Sequence, residues 1–182
     1  MTLLIAGLAL WCVAHFFKRL APNARANLGD KGKGPIALAI LASVVLMVLG
    51  YRGADLTHVY DAPSWGIHLN NTLMLVAVLL MGMGQSKGRM RSWLRHPMLT
   101  GVVVWAIAHL LVNGDMPSLV LFGGLALWAV AEMMLINRAE GPWTRPEPGP
   151  AKGDLRLIII SLIVFVAIAF IHNLVGPWPF PQ

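Results

Sequence analysis

Six apolar runs separated by short polar gaps make up most of this chain: Leu3–Phe17, Pro35–Tyr51, Ile67–Met83, Pro97–Val112, Pro117–Ile136 and Leu155–Val175. A helix needs about 20 apolar residues to cross a hydrocarbon core, with about 17 as the practical minimum. The pattern therefore predicts an all-α membrane bundle of six transmembrane helices in one domain, residues 1–182. The first and fourth runs lie near or below the length limit. They require snorkelling Trp, Lys and Arg flanks, or a thin bilayer.

The polar gaps carry a second pattern. Of the 14 Lys and Arg residues, 13 fall in alternate gaps. The first holds Lys18, Arg19, Arg25, Lys31 and Lys33, and the third Lys87, Arg89, Arg91 and Arg95. The fifth holds Arg138, Arg145, Lys152 and Arg156, leaving Arg52 alone on the other side. Basic residues accumulate in short cytoplasmic loops. This predicts a membrane protein that is N-out and C-out, with both termini facing away from the cytoplasm. The net charge of +6 then follows from topology, and nucleic acid is not an expected partner. The expected surroundings are the lipid bilayer.

Composition narrows the chemistry. With 57% hydrophobic and 12% charged side chains, the chain lacks the polar surface of a soluble domain. Cys12 is the single cysteine, which excludes an internal disulfide or a multi-cysteine metal site. Ala24-Arg25-Ala26 has the form of a cleavage site, but the positive charge follows the first run instead of preceding it. That is the wrong order for a signal peptide. The gap Asn137–Asp154, with four prolines and three glycines, is expected to be an exposed loop without helix. Ala21–Gly34, basic and glycine-rich, is expected to lie on anionic headgroups. Arg52–Gly66 carries Asp55, His58, Asp61 and Trp65, and the proline-rich tail Gly176–Gln182 is expected to be non-helical, with Trp178 at the outer interface.

Polar groups inside a membrane face the bundle interior and are functional candidates. Here they are His15, His68, His109, Glu132 and His172. Leu8–His15 is echoed by Val102–His109 and by Leu125–Glu132, each placing a Trp and an ionisable residue four apart on one helix face. Neutral imidazole is a natural axial ligand for haem b when its second nitrogen is held by a neighbour. The face Gly101–Trp105–His109–Asn113 suits such a ligand: glycine admits a macrocycle, tryptophan packs on it and histidine ligates. The alternative is that His109 fastens two helices through a backbone carbonyl. His15, near Trp11 and Cys12, carries the same pair of readings. A Cys12 thiolate is disfavoured by apolar burial with no cation nearby. His68 with Asn70, Asn71 and Thr72, and His172 with Asn173, read as interfacial polar groups. Arg95-His96-Pro97 reads as a helix start. Glu132 either snorkels to the cytoplasmic interface or orients the His15 imidazole. The ten methionines read as packing, and no nucleotide loop, hydrolase elbow or catalytic carboxylate pair is present.

Arg95-His-Pro-Met-Leu-Thr-Gly101, followed by Trp105-Ala-Ile-Ala-His-Leu-Leu-Val-Asn-Gly-Asp115, resembles the signature of the NnrU family, as do Leu121-Phe-Gly-Gly124 and Trp11…His15. The resemblance covers most of the chain. It implies a bacterial inner-membrane protein, hence with both termini periplasmic, associated with nitrite and nitric oxide reduction in denitrification and with other respiratory membrane subunits as expected partners. The family is related to zeta-carotene isomerase, a haem b enzyme. That relationship implies haem ligands at His15 and His109 and, as an alternative activity, cis–trans isomerisation of a polyene. The isomerase's cysteine three residues before its second histidine is replaced here by Ala106, which weakens the isomerase reading more than haem binding. His15 and His109 differ in expected depth, so His68/His109 stands as a competing pair. A cofactor-free accessory subunit is the third possibility.

Overall fold

In the computed structural model, which describes residues 1–180, each apolar run is a helix. They are α1 (Thr2–Leu20), α2 (Lys33–Arg52), α3 (Gly66–Met83), α4 (Pro97–Leu110), α5 (Met116–Glu140) and α6 (Ala151–Val175). Five are long and apolar enough to cross a membrane. The exception, α4, is apolar but has 14 residues. It reaches about 21 Å, short of a hydrocarbon core about 30 Å thick. No strand forms among the described residues beyond one isolated bridge, His58 with Asp115. The final two residues of the proline-rich tail lie outside the described range.

One expectation about the gaps is corrected, and another gap gains a short helix. Asn137–Asp154 is irregular only across 141–150, because α5 runs on to Glu140 and α6 begins at Ala151, directly after Pro150. A helix can start as soon as the last proline is passed. In Ala21–Gly34, residues Pro22–Leu28 form a short helix, with proline in the first turn where its missing N–H is harmless.

Each helix packs on the next in the order α2, α1, α5, α4, α3, α6. The α1–α2 contact depends on small residues, as close crossings between membrane helices do. A Cβ on Gly7 would lie 2.8 Å from Met47 N and from Ser43 O, and one on Gly50 would collide with the Leu4 backbone. Outward, α6 and the far faces of the other helices present large apolar side chains, with Leu174 82% and Leu127 73% exposed. These faces suit contact with lipid.

The basic gaps converge at one end of the bundle. Arg19 and Arg95 reach Glu140 at 3.0 and 3.6 Å, Arg95 donates to the Gly141 carbonyl, and Met90 N–H donates to Asp154. At the other end the second gap clasps the fourth. Val59 N–H and Tyr60 N–H both donate to Gly114 O, Met116 N–H donates to Thr57 O, and the Tyr60 hydroxyl donates to Leu110 O and Asn113 O. Burial, and secondarily the negative charge of Asp115, raise the Tyr60 phenol above its ordinary range. A raised folded-state value means the clasp is intact below the unfolded value of about 10 and weakens as pH climbs through the folded one. Tyr60→Phe removes both hydroxyl bonds. It is expected to raise amide exchange at Val59 and Met116 at neutral pH and to abolish any further alkaline opening. Unaltered exchange would show that the phenol does not hold the loop.

Candidate functional site

Two tryptophan–histidine units dominate the interior. On α1, His15 Nδ1 lies 2.9 Å from Trp11 O; on α4, His109 Nδ1 lies 2.9 Å from Trp105 O. A carbonyl only accepts, so Nδ1 carries the proton in both rings. In the neutral ring Nε2 then holds a lone pair, the state a metal-binding imidazole requires, oriented by a backbone acceptor. The echo on α5 differs at this point, because Glu132 has no N–H to return to the Trp128 carbonyl.

The units sit in separate aromatic clusters. His15 packs against Trp11 and Trp128, with ring centres 4.1 and 4.8 Å away. His109 stacks on Phe122 at 4.5 Å and tilts against Trp105 at 4.9 Å. Trp128 and Phe122 are six residues apart on α5, about 9 Å along the axis. Two nitrogens on opposite sides of one metal are about 4 Å apart, twice a bond of about 2.0–2.1 Å. His15 and His109 thus pack in different aromatic clusters, and the donor chemistry of each imidazole fits an axial ligand.

The remaining sequence candidates take these places. Gly101 faces α3, where a Cβ would lie 2.9 Å from Met81 Cγ and 3.0 Å from Ala77 O. Its missing side chain permits a helix contact, not a porphyrin face. Asn113 donates to the His109 carbonyl at 2.9 Å, so it supports the helix end and not the ring. Glu132 follows by one turn the Trp128 that packs on His15, but the His15 Nδ1–H goes to Trp11 O. Glu132 Oε1 is 3.9 Å from Arg19, while its Oε2 and the indole nitrogens of Trp11 and Trp128 are buried without hydrogen-bond partners. Uncompensated buried polarity therefore concentrates around His15. His68 opens α3 in the other clasped end, its carbonyl accepting from Thr72, and is not part of either ring cluster.

Between the clusters runs an apolar groove of about 460 Å³. Trp11, Trp105 and Trp128 stand along it with Met47, Leu121 and Leu125, and Tyr51 and Arg52 lie at its basic-poor end. Tyr51 is tied into the α5 start. Ser118 Oγ donates to Asp115 at 2.8 Å, so the Tyr51 hydroxyl is the donor in its 2.9 Å bond to Ser118 Oγ. The Asp115 carboxylate also caps α5 by accepting from Ser118 N–H at 2.8 Å. A wide π turn at Leu119–Gly123 follows and presents Phe122 to His109. Such turns recur at functional sites.

Sequence reasoning missed Phe122, Trp128, Tyr51 and Arg52 as members of the site. Trp128 was signalled by the third Trp echo, and Arg52 by its exceptional side of the membrane. Phe122 has no periodic signal because the wide turn changes the helix phase just where it sits.

No curated protein and no solved structure matches this chain. The family model described as NnrU protein matches residues 3–179. With nearly the full length covered, the chain belongs to the NnrU family.

Proposed function

We propose that this protein binds haem b in a bacterial inner membrane and supports the reduction of nitrite or nitric oxide. The basic gaps would face the cytoplasm and both termini the periplasm. His109 is the principal axial ligand, and His15 the second candidate. The observation that carries the reading is the repeated Trp-x-x-x-His unit, in which Nδ1–H is committed to a backbone carbonyl, Nε2 makes no hydrogen bond among the described residues, and the ring packs against aromatic side chains. Haem would supply a one-electron centre or a Lewis acid there. The protein's own contribution is to orient the imidazole, exclude water with apolar walls and set the local polarity.

The apolar lining of the groove, charged only at Arg52, also favours a second reading, in which a polyene lipid lies along it and is isomerised. Absorbance of detergent-purified protein, expressed with ample haem, tests the first. A Soret band is expected, and its absence removes both haem readings in favour of a cofactor-free accessory subunit. If the band is present, incubation of the reduced protein with a cis-carotenoid separates the two. Retained cis geometry excludes the isomerase.

A further inference from the structure

We infer that one anionic phospholipid seats its phosphate in a basic cavity at the end of the bundle where the basic gaps converge. The cavity, about 590 Å³, is lined by Lys18, Arg19, Pro22, Arg25, Ala26 and Ala139. Its volume lies within the range of small-ligand pockets, roughly 300–1,000 Å³. Half of the lining residues are cationic and none is acidic. The inference uses neither the histidines nor the apolar groove, so it stands apart from the haem reading.

The three cations have different duties. Arg19 is engaged with α5, 3.0 Å from Glu140 and 3.9 Å from Glu132, and so fastens the cavity wall. Lys18 and Arg25 enter none of the ion pairs among the described residues. Arg25 is partly buried, and its Nη1 donates to the Gly29 carbonyl at 2.9 Å. Gly29 has a φ of +51°, a turn that glycine adopts without strain. The guanidinium is thereby held in place with most of its five N–H donors uncommitted. Such a fork matches the oxygens of a phosphate, and Lys18 adds a second positive charge at the same cavity. Position favours a lipid over free phosphate. Lys18 and Arg19 directly follow the apolar run Leu3–Phe17, at the level where hydrocarbon gives way to headgroups. Leu20 and Leu28 bracket Pro22, Arg25 and Ala26 in the chain and are 66% and 46% exposed, which suits acyl chains. General attraction to an anionic surface counts every lysine and arginine alike. The cavity instead singles out Lys18 and Arg25 from Lys31, which belongs to the same gap but does not line it.

Native mass spectrometry of the full-length protein in nonionic detergent, titrated with phosphatidylglycerol or with phosphatidylcholine of the same acyl chains, tests this. The choline cation cancels the phosphate charge of the second lipid. The native chain is expected to retain one phosphatidylglycerol, held about tenfold more tightly than phosphatidylcholine, the order of a charge-assisted hydrogen bond. Arg25→Gln is expected to remove that preference, and Arg25→Lys to keep part of it. Because Arg25→Gln also cuts the bond to Gly29, Lys18→Gln serves as a second variant that breaks no hydrogen bond or ion pair among the described residues. It is expected to weaken phosphatidylglycerol about fivefold, the order of one basic side chain at an anionic surface. Lys31→Gln is expected to bind as the native chain does. Equal affinity for the two lipids in the native chain overturns the inference. An equal loss in Lys31→Gln and Lys18→Gln also overturns it, since that is diffuse attraction without a site. Displacement of bound phosphatidylglycerol by inorganic phosphate at equal concentration assigns the cavity to a soluble anion and overturns the lipid.

Discussion

His109→Ala is expected to remove the Soret band of the purified protein and to lower its haem affinity by more than about 100-fold. Loss of a group that merely orients a metal ligand costs 10–100-fold, and loss of the ligand itself exceeds that. The ring is already prepared for coordination, because the Trp105 carbonyl holds Nδ1–H at 2.9 Å and Phe122 fixes the ring plane from 4.5 Å. The substitution is small enough for the fold to survive. His109 lies in the last turn of α4, and the clasp beside it is made by backbone atoms and Tyr60. His15→Ala separates the two models of coordination. If His15 supplies a sixth ligand after α1 and α4 shift along α5, its removal changes the band shape and leaves the haem in place. If it does not, the spectrum is unaltered. Externally added imidazole is expected to restore a band to His109→Ala, as it fills the space left by the side chain. A native spectrum in His109→Ala would remove that residue from the ligand shell.

Much of this architecture was legible in the chain because bilayer thickness and loop charge are coarse, one-dimensional constraints. The end of α3 at Met83 and the start of α4 at Pro97 coincide with the apolar runs, since glycine and proline punctuate them. The gathering of the basic gaps at one end follows from alternation alone. The helix order α2, α1, α5, α4, α3, α6 was not legible, because apolar helices all satisfy lipid equally well and the choice of neighbour depends on local shape. The same limit explains Gly101. Four-residue spacing placed it on the face of Trp105 and His109, yet it is at the contact with α3, since a helix face drifts by about 40° every four residues. The individual histidines were legible as interior polar groups. Their separation into two clusters was not, because it depends on which tryptophans and phenylalanines of α5 each ring meets.

Gly50→Val is expected to be among the most damaging single substitutions in the bundle, lowering stability by about 3 kcal/mol or more. Overpacking a well-filled core usually costs about 1–3 kcal/mol, and the obstruction here is unusually rigid. The added Cβ would overlap the Leu4 backbone, which cannot move aside as a flexible side chain can. The helices would have to separate. That loosens a cluster in which Leu4, Leu8 and Met47 are buried with Leu125 and Trp128. The consequence reaches the site, because Met47 and Tyr51 flank Gly50 and both line the groove with Trp11. Gly34→Ala is the control on the same helix: beyond its own chain neighbours no heavy atom lies within 4 Å of its added Cβ, so any cost there comes only from the adjoining Pro35. Equilibrium unfolding in mixed micelles should show Gly50→Val strongly destabilised and Gly34→Ala affected far less. A Gly50→Val protein as stable as the native chain would mean that α1 and α2 do not cross as closely as the structure has them, and that the groove wall they form is built differently.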